Sequence, residues 1–156
     1  MRISACYIVK DEAHELRRSL ASLREAVDEI VIVSTAGNEA VAAAVADVHA
    51  ELYDFPWQND FSLARNYALE HVTGDLVIFL DADEYFLEPT VVRTALEAIV
   101  HKQGLLDIVM LRRSNFMTNE STADVIYDYS PRIFRSPGLH YEGLIHEQLV
   151  RDDGGE

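Results

Sequence analysis

The chain has 156 residues, which is the size of one ordinary domain and enough to bury a hydrophobic core. Apolar residues make up 49% and charged residues 26%, a composition typical of a globular protein and not of a disordered or membrane-embedded one. The 27 acidic and 13 basic side chains give a net charge of −14, which argues against a nucleic-acid partner, because phosphates would be repelled. We therefore expect a single domain over residues 1–150 and a disordered tail over residues 151–156.

The apolar runs are far shorter than the roughly 20 residues that a membrane-spanning helix needs, and the N-terminus carries no signal-peptide core. The expected location is cytoplasmic, with a peripheral position at the inner face of the membrane left open. The single cysteine, Cys6, excludes an intrachain disulfide. Its apolar neighbours indicate a buried structural thiol rather than a nucleophile.

Strand-like runs alternate with helical patterns through the first hundred residues, which is the signature of a parallel sheet built from βαβ units. Four strands are predicted, over residues 3–9, 29–33, 50–55 and 76–80. Four helices are predicted as well. The first runs from a cap at Asp11 to Val27, and the second covers residues 39–48. The third runs from a cap at Asn59 or Asp60 to a stop at residues 73–75, and the fourth from Pro89 to Gly104.

The pattern changes after Gly104, where strand-like runs follow each other with short loops between them. These runs cover residues 107–111, 125–129, 131–134 and 144–150. Short connections favour antiparallel or mixed pairing. The expected fold class is therefore α/β, with a mostly parallel N-terminal half that has helices on both faces and an antiparallel or mixed C-terminal part.

The stretch over residues 76–84 is the most informative, because five apolar residues end abruptly in Asp81, Asp83 and Glu84. In open α/β sheets, ligands bind at the carboxyl ends of the strands. Two carboxylates at positions i and i+2 can reach one hard divalent cation directly or through its waters. The pattern predicts Mg²⁺ or Mn²⁺ that holds a diphosphate, the alternative being that the acids merely end a strand in solvent.

Three segments stand out together: residues 5–12 (ACYIVKDE), residues 61–66 (FSLARN) and residues 74–84 (GDLVIFLDADE). In this order and spacing they resemble the first strand, the A-R-N helix and the strand that leads to the D-x-D motif of the family 2 glycosyltransferases of GT-A fold, which are inverting nucleotide-sugar transferases. Each motif alone is weak, so their order carries the match. Residues 57–61, 132–135 and 141–147 resemble the branch with lipopolysaccharide-core and peptide S-glycosyltransferases, and the resemblance spans residues 3–149.

The resemblance implies a donor that is a nucleoside diphosphate sugar, with UDP as the expected nucleotide, and a role for each matching residue. Asp83 would ligate the metal, Asp81 would contact ribose or a metal-bound water, and Arg65 would hold the base or the diphosphate. The base pocket would be lined by the end of the first strand, at Tyr7, Val9 and Glu12. Helical periodicity places Arg65 close to the buried side, where it needs an anionic partner, either a ligand or an internal carboxylate.

Residues 34–39 depart from the D-T-G-S-x-D pattern that usually follows the second strand in this family. Ser34 stands where the first Asp recognises the base. A hydroxyl can form a hydrogen bond, but it cannot supply a charged acceptor. The enzyme is therefore expected either to read its donor differently or to be impaired.

Inverting transfer is a single displacement that needs a general base, usually a carboxylate, near the acceptor. Glu147 is the first candidate because the His146-Glu147 pair aligns with an H-E pair of the resembling branch, Glu142 is the second and Glu120 the third. His146 is expected to complete the metal shell, to bind the acceptor, or to satisfy a strand hydrogen bond.

Three further side chains carry two interpretations each. Trp57 either stacks on sugar or nucleotide or plugs the edge of the core. Arg112 and Arg113 either meet phosphate or form a solvated, ion-paired face.

The preferred function is metal-assisted transfer of a sugar to a carbohydrate, lipid-linked glycan or peptide acceptor. The chain is short for the resembling family, which is consistent with a truncated catalytic core. One alternative is a non-catalytic nucleotide- or partner-binding module of degenerate GT-A fold. A second is a phosphatase of the haloacid-dehalogenase type, whose D-x-D normally follows the first strand and not the fourth.

Overall fold

A computed structural model describes residues 1–37, 39–104, 106–116 and 125–155. The N-terminal elements are β1 (Ile3–Val9), α1 (Ala13–Leu23), β2 (Glu29–Ser34), α2 (Glu39–Ala44), β3 (Glu51–Asp54), α3 (Phe61–Leu69), β4 (Leu76–Asp81) and α4 (Pro89–Gln103). The C-terminal elements are β5 (Ile108–Phe116), β6 (Val125–Arg135), β7 (Leu139–Glu142) and β8 (Gln148–Arg151).

Six strands form one sheet in the order β3-β2-β1-β4-β6-β5. The first four pair in parallel, whereas β6 pairs antiparallel with both β4 and β5. A separate antiparallel pair joins β7 and β8. The predicted α/β fold class, with a parallel N-terminal half and an antiparallel C-terminal part, is confirmed.

Alternation along the strands sends side chains into a core on each face of the sheet. One core packs β1 residues such as Tyr7 and Val9 against Leu16 and Leu20 of α1. The other core lies on the α3 side, where the buried thiol of Cys6 is packed. Burial raises the pKa of that thiol, in keeping with the structural role expected for it.

The helix boundaries differ from the predictions at the start and the end of α1 and at the end of α2. The first helix begins after Glu12, whose side chain accepts the backbone N–H groups of Lys10 and Asp11, so Asp11 is not its cap. It ends at Leu23 rather than Val27, and α2 ends at Ala44 rather than residue 48. Helical periodicity continues past both ends, but the chain turns there to enter the next parallel strand. Asp60 caps α3 as expected, and its carboxylate accepts the N–H of Leu63.

The C-terminal elements differ more. Residues 125–129 and 131–134 belong to one strand, β6, and the predicted strand over 144–150 begins only at Gln148. Gly143 and His146 have φ angles of 109° and 59°, so the chain turns there. Arg151 is the last residue of β8 and forms ion pairs with Asp107 and Asp153, so the expected disordered tail does not begin at that residue. Among the described residues, no helix is long and apolar enough to cross a bilayer.

Candidate functional site

The candidate site lies where the strand order of the sheet changes direction. β1 has β2 on one side and β4 on the other, and Ile8 near the end of β1 lies opposite Asp81 at the end of β4. Such switch points are where open α/β sheets bind ligands. A cleft of about 810 Å³ opens there. Its lining is Ile8, Lys10, Glu12, Glu15, Thr35, Trp57, Phe61, Arg65, Asp81, Ala82, Asp83, Arg132, Ile145, His146 and Glu147.

A tight turn at the end of β4 presents the two aspartates of the D-A-D sequence. Glu84 donates its backbone N–H to the carbonyl of Asp81 at 3.0 Å, and the N–H of Asp81 donates to Glu84 Oε2 at 3.1 Å. Ala82 is buried in the core between them. Asp81 and Asp83 therefore both line the cleft, as the spacing of the motif predicts.

Two arginines hold the carboxylate of Asp81. Arg65 Nη2 donates to Oδ1 at 2.9 Å, and Arg132 Nη2 donates to Oδ2 at 2.7 Å. Arg65 also donates through Nε to Glu147 Oε1 at 2.6 Å, and its guanidinium lies over the Phe79 ring. Only 6% of Arg65 is exposed, and its Nη1 is buried with no hydrogen-bond partner in the described part of the chain. The internal ion pair considered for Arg65 is thus present, with one donor still unused.

Glu84 continues the same network away from the cleft. Its Oε1 accepts from Arg132 Nη2 at 2.6 Å and from Arg113 Nη1 at 3.0 Å. Arg113 in turn pairs with Asp128 on the neighbouring strand. The ion-paired interpretation of Arg113 is therefore correct, and Arg112 lies over the ring of Tyr127.

The two aspartates have opposite electrostatic environments. Burial opposes the ionisation of Asp81, but the charges of Arg65 and Arg132 outweigh it and hold the pKa of Asp81 below its usual range. Partial burial raises the pKa of Asp83, and repulsion from Asp81, Glu84 and Glu12 adds to that rise. A cation beside Asp83 would relieve this repulsion.

Arg132 reaches the site because of an irregularity in β6. Val109 pairs with Ile133 and Met110 with Pro131, so Arg132 is the extra residue between two paired neighbours. Bulges of this kind change the direction of a side chain, and a proline is tolerated there because it has no N–H to donate. Neither the bulge nor the role of Arg132 was predicted, although Pro131 at the junction of two strand-like runs was a signal for it.

One face of α3 fixes the loop over residues 143–147. Ser62 Oγ donates to the carbonyl of Gly143 at 2.6 Å, and Arg65 holds Glu147. Asn66 forms two hydrogen bonds with the backbone of Tyr141, at 2.7 and 2.9 Å. The A-R-N sequence thus has a structural function in addition to the expected binding function, because it connects the N-terminal half to β7 and the loop after it.

Two predicted lining residues of β1 lie elsewhere. Tyr7 and Val9 are fully buried, and the hydroxyl of Tyr7 hydrogen bonds to Ser19 at 2.8 Å. They face the α1 side of the sheet, whereas Ile8 faces the cleft. The prediction that Tyr7 and Val9 line a base pocket is wrong for their side chains, because a strand alternates its two faces. Glu12 does line the cleft.

Ser34 is also fully buried, and its hydroxyl donates to the carbonyl of Gly37 at 2.6 Å. It stabilises its own loop, and Thr35 lines the cleft in its place. The side chain of Ser34 therefore does not lie where it could recognise the base, as the aligned aspartate of the family would. Asn38 of the same loop lies outside the described residues.

The candidate bases lie in three different places. Glu147 lines the cleft with 16% of its side chain exposed. Glu142 lies on β7, where its exposed carboxylate pairs with His140, and it is not brought to the cleft. Glu120 lies outside the described residues. Geometry thus keeps Glu147 as the candidate.

Trp57 and Phe61 form an aromatic pair at the cleft. Their ring centroids are 4.7 Å apart in a T-shaped arrangement, and 38% of Trp57 and 43% of Phe61 are exposed. Trp57 therefore does not plug the edge of the core, and Phe61 lies outside the buried face of α3. An exposed aromatic pair in a cleft is suited to stacking on a sugar or base.

The predicted metal ligands do not assemble into a complete site. In the described ranges, no three His, Cys, Asp or Glu side chains converge in a way that could hold a metal ion. Both oxygens of Asp81 are engaged by arginines, and His146 is exposed on its loop. Asp83 alone fits, since a hard carboxylate oxygen in an acidic environment is a ligand that Mg²⁺ and Mn²⁺ favour.

Comparison with known proteins gives a family and a fold. Residues 4–144 match the family model described as Glycosyl transferase family 2. A TPR repeat-containing protein of Synechococcus elongatus is 35% identical over 153 residues, which are 97% of this chain and 36% of that protein. The SPbeta prophage-derived glycosyltransferase SunS of Bacillus subtilis is 28% identical over 149 residues, which are 94% of this chain and 34% of SunS. The chain spans about a third of the length of these relatives.

Solved structures share the arrangement of the sheet. Staphylococcus aureus TarS superposes with a TM-score of 0.61 at 16% identity, over 80% of this chain and 39% of TarS. A Pyrobaculum calidifontis mannosyltransferase in complex with GDP-Man and Mn²⁺ has a TM-score of 0.56 at 22% identity, over 69% of this chain and 34% of the mannosyltransferase. A third structure is glucosyl-3-phosphoglycerate synthase from Mycobacterium tuberculosis in complex with Mn²⁺, UDP and glucosyl-3-phosphoglycerate. Its TM-score is 0.55 at 17% identity, over 67% of this chain and 42% of the synthase. These likenesses show a common fold.

Proposed function

Because the chain belongs to glycosyl transferase family 2, we propose that its cleft binds a nucleoside diphosphate sugar and supports transfer of that sugar to an acceptor with inversion. The family and the GT-A fold inferred from motif order are confirmed. The alternative of a haloacid-dehalogenase-type phosphatase is wrong, because the D-A-D sequence follows β4 of a family 2 fold.

The observation that carries the proposal is the contrast between Asp83 and Arg65 across one cleft. Asp83 lacks an arginine partner among the described residues, and Arg65 carries a positive charge at the wall of the same cleft. A cation at Asp83 and a diphosphate beside it would relieve the crowding of acids and lie within the field of that arginine. Similar folds have been solved with UDP and Mn²⁺ or with GDP-Man and Mn²⁺, and we propose UDP as the donor nucleotide here.

Asp83 would hold Mg²⁺ or Mn²⁺, which when bound neutralises charge on the leaving diphosphate. The arginines keep Asp81 ionised, so in this arrangement it orients Arg65 and Arg132 and is not the first ligand of the cation. The aromatic pair Trp57 and Phe61 would pack on the donor at the open side of the cleft.

We assign the general base to Glu147. One of its oxygens is fixed by Arg65, which orients the carboxylate at the cleft. In the single displacement, the acceptor atom bonds to the anomeric carbon as the bond to the diphosphate oxygen breaks. The electron pair leaves with the diphosphate, and Glu147 takes the acceptor proton.

A second cavity of about 510 Å³ shares Asp81, Asp83 and Arg132 with the cleft and extends along β5. We propose it as the acceptor side, because it adjoins the point where the sugar would be transferred. Carbohydrate, lipid-linked glycan and peptide acceptors, a cytoplasmic location and a peripheral membrane association stay predictions.

The proposal is tested by thermal unfolding with UDP, GDP, CDP and ADP, each with and without Mn²⁺, since a ligand that binds the native state raises its melting temperature. We expect UDP with Mn²⁺ to stabilise the protein most. Asp83→Asn should weaken Mn²⁺-dependent UDP binding by about 100-fold or more, because loss of a direct ligand should cost at least as much as loss of an outer-shell partner of a metal site. Asp47→Asn, which changes an exposed acid on the turn after α2, is the matched control.

Catalysis is tested separately by following UDP release from a UDP-sugar with water as the acceptor. Glu147→Gln should slow release by about 100-fold or more while UDP affinity stays close to that of the wild type. Nucleotide binding without release would favour the non-catalytic module. Equal responses of Asp83→Asn and Asp47→Asn would contradict the assignment of Asp83.

A further inference from the structure

Two of the three carboxylates at the end of β4 are already committed within the protein. Asp81 accepts from Arg65 at Oδ1 and from Arg132 at Oδ2. Glu84 accepts from Arg132 at Oε1 and from the N–H of Asp81 at Oε2. No arginine of the described residues pairs with Asp83. A cation that arrives without phosphate ligands therefore finds one available carboxylate where the sequence shows three.

The shared partner of both committed acids is one nitrogen atom. Arg132 Nη2 lies 2.7 Å from Asp81 Oδ2 and 2.6 Å from Glu84 Oε1, and only 13% of the Arg132 side chain is exposed. A guanidinium that bridges two carboxylates cancels their repulsion and occupies the lone pairs that a cation would use. The bulge in β6 places it there, so this arrangement depends on strand pairing and not on the D-A-D sequence.

We propose that Arg132 is a positioning residue that withholds Asp81 and Glu84 from divalent cations, so that the cleft takes up a cation as its complex with a nucleoside diphosphate and not as the bare ion. This inference rests on the proposed function, because the diphosphate supplies the ligands that the protein withholds. Mg²⁺ and Mn²⁺ are commonly bound through one or two carboxylates plus substrate phosphates, which agrees with Asp83 as the available ligand.

Loss of Arg132 should change the binding of a bare cation and of a nucleotide-bound cation in opposite directions. Without its guanidinium, Asp81 Oδ2 becomes available beside Asp83, Glu84 Oε1 keeps only Arg113 Nη1 as its partner, and the local charge becomes more negative by one unit. The affinity for a bare cation should therefore rise, while the gain in affinity that a nucleotide provides should fall. A residue with a purely structural role would not change these two quantities in opposite directions.

The experiment titrates Mn²⁺ into the protein with and without UDP and follows free Mn²⁺ by electron paramagnetic resonance. For Arg132→Met we expect bare Mn²⁺ to bind about tenfold more tightly than in the wild type, and the effect of UDP on Mn²⁺ affinity to shrink by a similar factor. Arg132→Lys keeps the charge and should restore values near those of the wild type. Arg135→Met is the matched control, because Arg135 lies on the same strand, more exposed and 3.7 Å from Asp107.

A double variant identifies the source of the gain. Asp81→Asn should remove most of the extra affinity for bare Mn²⁺ in the Arg132→Met background and have little effect in the wild-type background, where Asp81 is already engaged. If Arg132→Met does not fold, as judged by circular dichroism, Arg132→Gln replaces it with the same expected direction.

Two failures are distinguishable. An affinity for bare Mn²⁺ in Arg132→Met, or in Arg132→Gln where it replaces it, that equals that of Arg135→Met overturns the role of Arg132. By contrast, if no nucleotide in the panel changes Mn²⁺ affinity of the wild type, the proposed function fails, whatever the Arg132 variants show with the bare ion.

Discussion

The two parts of the chain contribute differently to the cleft. The N-terminal half, through β4, supplies the edge of the parallel sheet and the acids Asp81 and Asp83. The part that follows α4 supplies Arg132 on β6 and Glu147 before β8, which reach back over 51 and 82 residues to Asp81 and Arg65. The location of the acids is thus a local property of the sequence, whereas their charge environment depends on partners that are distant in the sequence.

The strongest test of this comparison removes the arginine that joins the two parts. Arg65→Met leaves Asp81 with one arginine and Glu147 without its partner, while both carboxylates stay partly enclosed. We expect a loss of about 3–5 kcal/mol in the free energy of unfolding, as for other broken buried pairs. Guanidinium denaturation measures it, with Arg112→Met on the exposed face of β5 as the control. A loss as small as that of the control would contradict a structural role for Arg65.

A substitution confined to the N-terminal half tests the loop after β2. Ser34→Asp replaces a fully buried hydroxyl donor with a carboxyl that cannot donate to Gly37 when ionised. We expect a loss of about 2–3 kcal/mol in the free energy of unfolding, since the hydrogen bond is lost and a charge is buried. Urea denaturation checks the loss, and Ser34→Ala separates the cost of the bond from that of the charge. Tighter UDP binding in Ser34→Asp would show instead that position 34 can reach the base.

Asn66→Ala weakens the second connection between the two parts, through the backbone of Tyr141. Both hydrogen bonds of the Asn66 amide would be lost, and we expect a cost of about 1–3 kcal/mol. The unfolding transition gives this value, and hydrogen exchange of the Tyr141 amide shows whether the loss is local. Protection of that amide equal to the wild type would argue against the tether.

The smallest expected effect on stability is a gain and not a loss. The pKa of Asp83 is raised, so the folded protein holds that proton more tightly than the unfolded chain, and ionisation of Asp83 destabilises the fold as the pH rises through that pKa. Asp83→Asn should therefore slightly raise the melting temperature at neutral pH and have no such effect at a pH below that pKa. A melting temperature that falls at neutral pH would contradict the repulsion inferred at this edge.

The same raised pKa predicts how ligand binding depends on pH. Binding of UDP with Mn²⁺ needs ionised Asp83, so affinity should fall with decreasing pH earlier than an ordinary aspartate would cause. The pKa of Asp81 is lowered instead, because Arg65 and Arg132 keep it ionised to lower pH. The stabilising contribution of Asp81 is therefore lost only at that lower pH. Calorimetric titrations at several pH values should show a step in affinity in the wild type that is absent from Asp83→Asn. A profile unchanged in Asp83→Asn would assign the step to another group.

The amino-acid sequence determined the parallel half, the α/β class, the family and the position of the acidic edge, because period-two and period-3.6 patterns and strand-end motifs are local. It also placed Arg65, Asp83 and Glu147 among the candidates, and all three line the cleft. Tyr7, Val9 and Ser34 were misassigned because only the orientation of the strand decides which side chains face the core.

Only the tertiary structure decided which carboxylates are free. The bulge that presents Arg132 arises from the pairing of β5 with β6, and the turn that presents Glu147 depends on contacts with α3. Pairing over such distances has no local period in the sequence, since it depends on how separate elements pack. The physical reason is that a carboxylate's availability is set by its nearest charges, and those charges are brought to it by the fold.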